Sequence, residues 1–265
     1  MLPELLLSAI TPASRQLRRM GLVTASVGLW SRSFRQSAQW SPHYARCHAV
    51  VQHAIAGLQS RRTAAILGSG LAKDIPVRDL LAAFERVLLV DAVHLPTVRL
   101  RYALDKRVRF VTLDLSGMAG WLEGEADGRV APLRSLAADP DLDLVISANV
   151  LSQIPIGVET FLDDHPERVA ALPADILTRS VQGHLEDLAA FRCRVCLLTD
   201  TVMTERDRSG AVTDTLDLMR DVTLPPPDEA WDWTVAPFGE VDGKHEYVHR
   251  VQAYAHWDPG RASHS

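Results

Sequence analysis

The chain has 265 residues, 47% of them hydrophobic and 23% charged, with a formal net charge of -5. That length suits one large domain with a buried core, or a domain with an appendage, and the ordinary composition excludes a disordered or fibrous class. A negative balance without a long basic run disfavours electrostatic capture of a nucleic-acid backbone, and no apolar stretch reaches the roughly 18 to 20 residues of a membrane span.

Three cysteines, Cys47, Cys193 and Cys196, give an odd count and no disulfide framework, which fits a reducing, cytoplasmic setting. The opening stretch MLPELLLSAITPASRQLRRM has Glu4 before its apolar run and its basic residues after it. A secretory signal has the opposite order, so a surface or packing helix is expected. Residues 1–60 read as a helical extension. In SPHYARCHAVVQHAIAGLQSRR, Ser41 can cap a helix and Pro42 fits its first position, where a missing N–H costs nothing. Tyr44, Cys47, Val51, Ile55 and Leu58 recur at helical spacing and form one apolar face, with His43, Arg46 and His53 off it.

From residue 63 the rhythm changes. TAAILG (63–68), RVLLVD (86–91), VRFVTLD (108–114), LDLVISA (142–148) and CRVCLLTD (193–200) are nearly continuous apolar runs, as strands buried on both faces of a parallel sheet should be. Helically spaced segments such as VRDLLAAFE and LPTVRLRYALD lie between them, so a β-α-β alternation with helices on both faces is expected. After residue 220, alternation around Trp231, Trp233 and Val235, the turn pair Asp242-Gly243, and alternation in EYVHRVQAYAHW predict a C-terminal antiparallel hairpin. Tyr247, Val251, Ala253 and Ala255 share one face of its last strand, with His249 as the single polar member. The expected whole is an α/β, doubly wound, mostly parallel sheet of seven strands over residues 61–258. An N-terminal helical extension precedes it and a tail, 259–265, follows.

In such a sheet ligands sit at the C-terminal ends of the strands. The first predicted strand ends at Gly68-Ser69-Gly70, where small residues allow close backbone approach and a following helix N-terminus favours a negative group. The second ends at Asp91, 23 residues after Gly68, a spacing at which a carboxylate commonly accepts ribose hydroxyls. The third ends at Asp114, and the fourth runs into SANVLSQIP with Asn149. Polar residues thus close four successive strands at one edge.

The succession AAILGSGLA, VLLVDAVH, VRFVTLDLSG, DLVISANVLSQIP resembles the class I, Rossmann-like S-adenosylmethionine-dependent methyltransferases over about residues 60–257. The resemblance implies that Gly68, Ser69 and Gly70 wrap the methionine part of the cofactor, that Asp91 binds the ribose, that Asp114 lies by the adenine, and that Asn149 and its neighbours line cofactor and substrate. It also implies an antiparallel strand inserted near the sheet edge. The chain departs from the family pattern at Ile66, where an acid usually stands two residues before the first glycine. Ala72 fits the third small position, Lys73 and Asp74 follow at once, and Asp74 is the nearest acid able to compensate.

Two further patterns carry less. HEYVH (245–249) matches the zinc-protease pattern, which needs a helix and a third ligand; here a turn precedes it, strand alternation follows, and no glutamate lies beyond Glu246. No metal is expected there. CRVC (193–196) lies in an apolar run, where residues three apart point to opposite faces of a strand, so two buried strand thiols are expected. Candidate contacts to a substrate are His43, Tyr44 and Arg46, the helical stretch PADILTRSVQGHLEDLAAF, and TVMTERDRSGAVTDTLD after the fifth strand. The expected activity is methyl transfer from S-adenosylmethionine to a small-molecule or protein acceptor, with RNA disfavoured by charge. The competing readings are an NAD-dependent oxidoreductase, which shares the glycine turn and the distant acid but would need a glycine where Lys73 stands, and a non-catalytic binding or scaffold protein on a degenerate methyltransferase fold.

Overall fold

A computed structural model describes residues 2–260; of the predicted tail, residues 261–265 lie outside the described residues. The chain begins with four helices: α1 (Leu2–Ile10), α2 (Arg15–Arg19), α3 (Leu22–Arg35) and α4 (Ser37–Ala56). The sheet region then runs β1 (Thr63–Leu67), α5 (Val77–Ala83), β2 (Arg86–Asp91), α6 (Pro96–Tyr102), β3 (Val108–Thr112), α7 (Ala119–Glu123), α8 (Arg134–Ala137) and β4 (Leu142–Ala148). It continues with α9 (Gln153–Asp164), a 3-10 turn (Pro166–Ala171), α10 (Ile176–Ala189), β5 (Arg194–Asp207), β6 (Val212–Asp217), β7 (Glu229–Ala236) and β8 (His245–Tyr254).

The strand order is β3-β2-β1-β4-β5-β8-β7, with β6 paired to β5 outside this path. Strands β1 to β5 pair in parallel, and β8 enters antiparallel between β5 and β7. The apolar runs produce this because both faces are covered. In β1, Ala64 and Ile66 join one core with Cys47, Val50, Val51 and Ala54 of α4. Ala65 and Leu67 join a second core with Val181 and Leu188 of α10 on the other face. The seven expected strands are all present. The eighth, β6, comes from TVMTERDRSGAVTDTLD, expected from sequence to offer substrate contacts after the fifth strand: its Val212, Thr213, Asp214, Thr215 and Asp217 are exposed, so no hydrophobic face announces it, and it is held by main-chain pairing to an extended β5.

Helix α4 begins at Ser37, four residues before the expected cap, and Pro42 lies inside it. Proline there removes the one bond that would run to the Ala38 carbonyl and leaves the rest of the helix intact. The earlier start rotates the face presented to the core: Trp40, His43, Cys47, Val50, Val51, Ala54 and Ile55 are buried, Tyr44 only half-buried. His43 therefore lies on the buried face and not off it. Helices α1 and α3 pack Leu7, Val23 and Val27 against Leu71, Val93, Leu95 and Val98, which lays the extension over the ends of β1 and β2. It is also bound to the last hairpin, where Glu240 accepts from Arg35 (2.6 Å) and Gln36 (2.6 Å), and Val235 O from Trp40 Nε1 (3.1 Å). Among the described residues no helix is long and apolar enough to cross a membrane.

Candidate functional site

The chain runs β1, β2, β3 in one direction across the sheet and returns to place β4 on the other side of β1. The crevice at the C-terminal ends of β1 and β4 is thus the switch point where open α/β sheets bind ligands. The turn after β1 fills its floor. Gly68 has φ 73°, and a Cβ there would lie 2.6 Å from Val150 Cβ. Gly70 has φ 44°, with nothing nearer to its missing Cβ than Gly68 O at 3.8 Å. Ala72, a non-glycine, is held at φ 51°, strain of the kind that persists where the surroundings over-determine the backbone.

The turn differs from the sequence expectation in two ways. Its amides are already engaged: Gly68 and Ser69 N–H donate to Val90 O (2.9 and 3.2 Å), Gly70 N–H to Asp91 Oδ2 (2.7 Å) and Ala72 N–H to Ser69 O (2.7 Å). In addition, α5 starts only at Val77, after Pro76, so no helix N-terminus faces the turn. What the turn offers a ligand is bare Cα surface and the Ser69 hydroxyl, which is buried without a hydrogen-bond partner.

Asp91 binds the turn through Oδ2 and receives Val93 N–H at Oδ1 (3.2 Å). Each carboxylate oxygen retains a further acceptor site, and burial raises its pKa. Beside it, His94 is buried and faces the Val111 carbonyl through Nε2 (3.0 Å). A carbonyl only accepts, so Nε2 carries the proton and Nδ1 is a buried acceptor with no partner. Asp114 lies one strand further out and organises its own loop: it accepts from Ser116 N–H (2.9 Å) and Oγ–H (2.5 Å), and from Ala119 N–H (3.2 Å) at the start of α7.

Asn149, at φ 52° directly after β4, donates Nδ2–H to Asp74 Oδ2 at 2.8 Å, while its backbone N–H reaches Leu198 O (2.9 Å). Its Oδ1 is buried and unpartnered. Ile66, in the position the family gives to an acid, is fully buried in the core. Asp74 reaches the crevice from the turn ahead of α5, and burial raises its pKa. The structure therefore brings Gly68, Ser69, Gly70, Asp91, Asp74 and Asn149 together, with Asp114 one strand away.

Sequence reasoning missed Asp200. It sits just past the parallel part of β5, 4% exposed, with Oδ2 2.9 Å from His249 Nδ1 on β8. Its only signal was the aspartate closing CRVCLLTD. The HEYVH histidines lie on a strand, about 13 Å apart at 3.3 Å per residue, and His245 pairs instead with Asp242 (3.1 Å). Cys196 is a buried strand thiol of the first core as expected, whereas Cys193 lies one residue before β5, half-buried against the second core; burial pushes the two thiols up to about 12 and about 11. A cavity of about 1140 Å³ opens at the opposite edge, by Arg62, Asp143, Cys193 and Arg194, remote from the strand ends that carry the crevice.

No model of a protein family matches the sequence, and neither does any curated protein. Similar solved structures include the Burkholderia thailandensis 1,6-didemethyltoxoflavin-N1-methyltransferase with bound 1,6-didemethyltoxoflavin and S-adenosylhomocysteine, at 15% identity over 92% of each chain and a TM-score of 0.40. The DhpI complex with S-adenosylhomocysteine shares 17% identity over 94% of this chain and 100% of that one, with a TM-score of 0.39. The N-methyltransferase NodS of Bradyrhizobium japonicum WM9 shares 10% over 78% and 85%, with a TM-score of 0.36. Superpositions this loose add nothing to the strand order, which by itself defines the fold. Five parallel strands reversing at β1, with an antiparallel strand inserted before the edge, make the class I, Rossmann-like methyltransferase fold.

Proposed function

We propose that the protein is an S-adenosylmethionine-dependent methyltransferase. The observation that carries this is the pair of buried polar atoms without partners, Ser69 Oγ and Asn149 Oδ1, at the ends of β1 and β4 where the fold binds its ligand. Buried polar groups left open in a folded protein are costly unless something completes them. In this proposal Gly68, Ser69 and Gly70 meet the methionine part, Asp91 accepts the ribose hydroxyls with its remaining lone pairs, and Asp114 lies toward the adenine. Asp74 supplies the carboxylate that the family keeps at the position of Ile66, held in place by Asn149. The bound cofactor would supply a methyl group on a sulfonium; the chain's own part is to fix its position and exclude water. Residues 1–60 act as the cap of the 61–258 domain, which the contacts of α1 and α3 with Leu71 and Val93 support. Free thiols at all three cysteines support a reducing, cytoplasmic location.

One observation favours a scaffold without cofactor: the amides of the glycine turn are all engaged within the protein. Parallel calorimetric titrations with S-adenosylmethionine, S-adenosylhomocysteine and NAD decide the matter. The first two are expected to bind and NAD is not. Folded protein that ignores all three at millimolar concentration is a scaffold, and binding of NAD alone makes it an oxidoreductase.

A further inference from the structure

The edge of the sheet that carries the glycine turn holds a second group of polar side chains, drawn from elements far apart in sequence. Strand β5 parts from β4 after Leu198, and a bulge follows between Asp200 and Val202. Leu198 faces α4 in the first core, and Asp200, two residues on, continues the same face. On β8, Val251 belongs to that core too, and His249 lies two residues before it. The two side chains meet with Asp200 Oδ2 2.9 Å from His249 Nδ1. A carboxylate is an acceptor only, so the neutral ring carries its proton on Nδ1 and its lone pair on Nε2. No described residue bonds to Nε2, and the side chain is 15% exposed, so the lone pair is reachable.

A second histidine stands close by and is disqualified as a base. His43 stacks on Trp233 with ring centroids 3.9 Å apart, accepts Trp231 Nε1–H at Nδ1 (3.2 Å), and turns Nε2 toward Cys47 Sγ (3.5 Å). Both nitrogens are spent, and burial lowers its pKa to about 4. The surroundings are aromatic: Trp40 packs edge-on against Tyr44 and Trp233, and Trp233 edge-on against His249. Trp40 and Trp231 are buried, whereas Tyr44, Trp233 and His249 keep exposed surface. Two buried polar atoms in this group lack partners, Asp200 Oδ1 and Trp233 Nε1. These are the parts of a ligand site: a flat wall, an unfilled acceptor and donor, and an oriented imidazole.

Resting on the methyltransferase proposal above, we infer that His249, oriented by Asp200, is the general base for an aromatic acceptor bearing an O–H or N–H, held against Tyr44 and Trp233. Such groups are poor nucleophiles until the proton leaves, and a positioned base contributes about 10²- to 10⁴-fold. The proton passes from the acceptor heteroatom to His249 Nε2 as that atom bonds to the methyl carbon. The electron pair of the broken S–CH₃ bond stays on sulfur, giving S-adenosylhomocysteine. The imidazolium is balanced by Asp200 and returns its proton to water.

The test compares wild type with His249→Asn, Asp200→Asn and Trp233→Leu. Asparagine at 249 can still donate to Asp200 while lacking any counterpart of Nε2, and His249→Gln is a second variant should it fold poorly. Nitrogen NMR of the wild-type imidazole is expected to report the Nδ1–H form. Asp200 from β5 and His43 from α4 are the titratable groups against this ring, its cross-strand neighbours Met203 and Trp233 being uncharged. Replacing the Asp200 carboxylate, an acceptor only, by an amide that can also donate is expected to weaken the preference for the Nδ1–H form. With saturating S-adenosylhomocysteine, 4-nitrophenol or benzimidazole is expected to bind wild type and perturb Nε2. Their affinity should fall about tenfold or more in His249→Asn and Trp233→Leu, while affinity for S-adenosylhomocysteine changes less than twofold. An Nε2–H tautomer, probes that bind His249→Asn as tightly as wild type, or probes that do not bind wild type overturn the assignment while the methyltransferase proposal stands. Wild type that fails to bind S-adenosylhomocysteine overturns both.

Discussion

Asp91 Oδ2 accepts the backbone N–H of Gly70 at 2.7 Å, which makes the end of β2 and the turn after β1 one hydrogen-bonded unit. The carboxylate expected to hold a ribose therefore also holds the floor of its own crevice. Asp91→Ala is expected to lower stability by about 1–2 kcal/mol, the cost of leaving a half-buried donor unmatched, and to weaken S-adenosylhomocysteine at least about tenfold. Asp91→Asn keeps an acceptor oxygen and should lose less of both. Urea unfolding and calorimetry on the same preparations check this; an unchanged midpoint in Asp91→Ala would contradict the bond to Gly70.

The two glycines of the turn should separate structure from binding. A methyl group on Gly68 meets Val150 Cβ at 2.6 Å in a backbone at φ 73°. One on Gly70 meets nothing closer than 3.8 Å, at φ 44°. Gly70→Ala is expected to cost about 1–2 kcal/mol, the left-handed penalty alone. Gly68→Ala should cost more, because Val150 must also move. Gly70→Ala is nevertheless expected to lose cofactor affinity, since its methyl stands over open crevice. Equal stability of the two variants would count against the packing described.

Acid should destabilise the protein through histidines buried in neutral form. Burial lowers both His43 and His184 to about 4, the latter fully enclosed with Nε2 3.0 Å from Ser147 Oγ. A depressed pKa means that the unfolded chain binds the proton first. The stability contributed is complete above about pH 6.5 and is lost as pH falls toward 4, by up to about 1.4 kcal/mol per pH unit per histidine. Asp74 and Asp91, whose pKa values burial raises, act in the opposite sense and gain stability on protonation. The comparison is therefore one of slopes: His184→Gln should lose about one proton's share of the decline between pH 6.5 and 5 in urea titrations. A slope equal to that of wild type would show that His184 is not held neutral.

Arg129 and Asp187 form a salt bridge with side chains 13% and 6% exposed, joining α10 to the segment before α8, and Arg129 also donates to Ser116 O (2.8 Å). Asp187→Ala strands the guanidinium in a poorly solvated place. A loss of about 2–4 kcal/mol is expected, below the full figure for a deeply buried pair because Arg129 retains its carbonyl partner. Asp187→Ala together with Arg129→Met should recover part of it, measured by thermal unfolding.

The parallel sheet was legible because burial on both faces leaves a direct mark: RVLLVD and LDLVISA have the bounds of β2 and β4. Strand β6 left no such mark, since VTDTLD has no buried face and owes its form to main-chain bonds with β5. Helix α4 misled through Pro42, a local start signal overridden by packing that extends the helix back to Ser37. That Gly68, Asp91 and Asn149 meet at one edge of the sheet could be read because each ends or directly follows a recognisable strand. The meeting of Asp200 with His249 could not. His249 stood out as the polar member of an apolar face, but Asp200 lies 49 positions away and His43 almost 190 from Trp231, and no periodicity links residues across such distances.

The anchoring of the extension on the last hairpin sets the order of events during synthesis. Trp40 and His43 bond to residues 195 and 188 positions later, and Arg35 and Gln36 to Glu240 beyond them. At roughly 5–20 residues per second the ribosome needs about 10–40 s to make the intervening chain. For that interval Trp40 and His43 have no hairpin to pack against, and contacts so distant in sequence form slowly. The nascent helical extension must wait, sticky and unfinished, for the last hairpin to emerge. A chaperone that shields it, or a rearranged gene that places β7 and β8 earlier, would be felt first in the yield of folded protein rather than in its final stability.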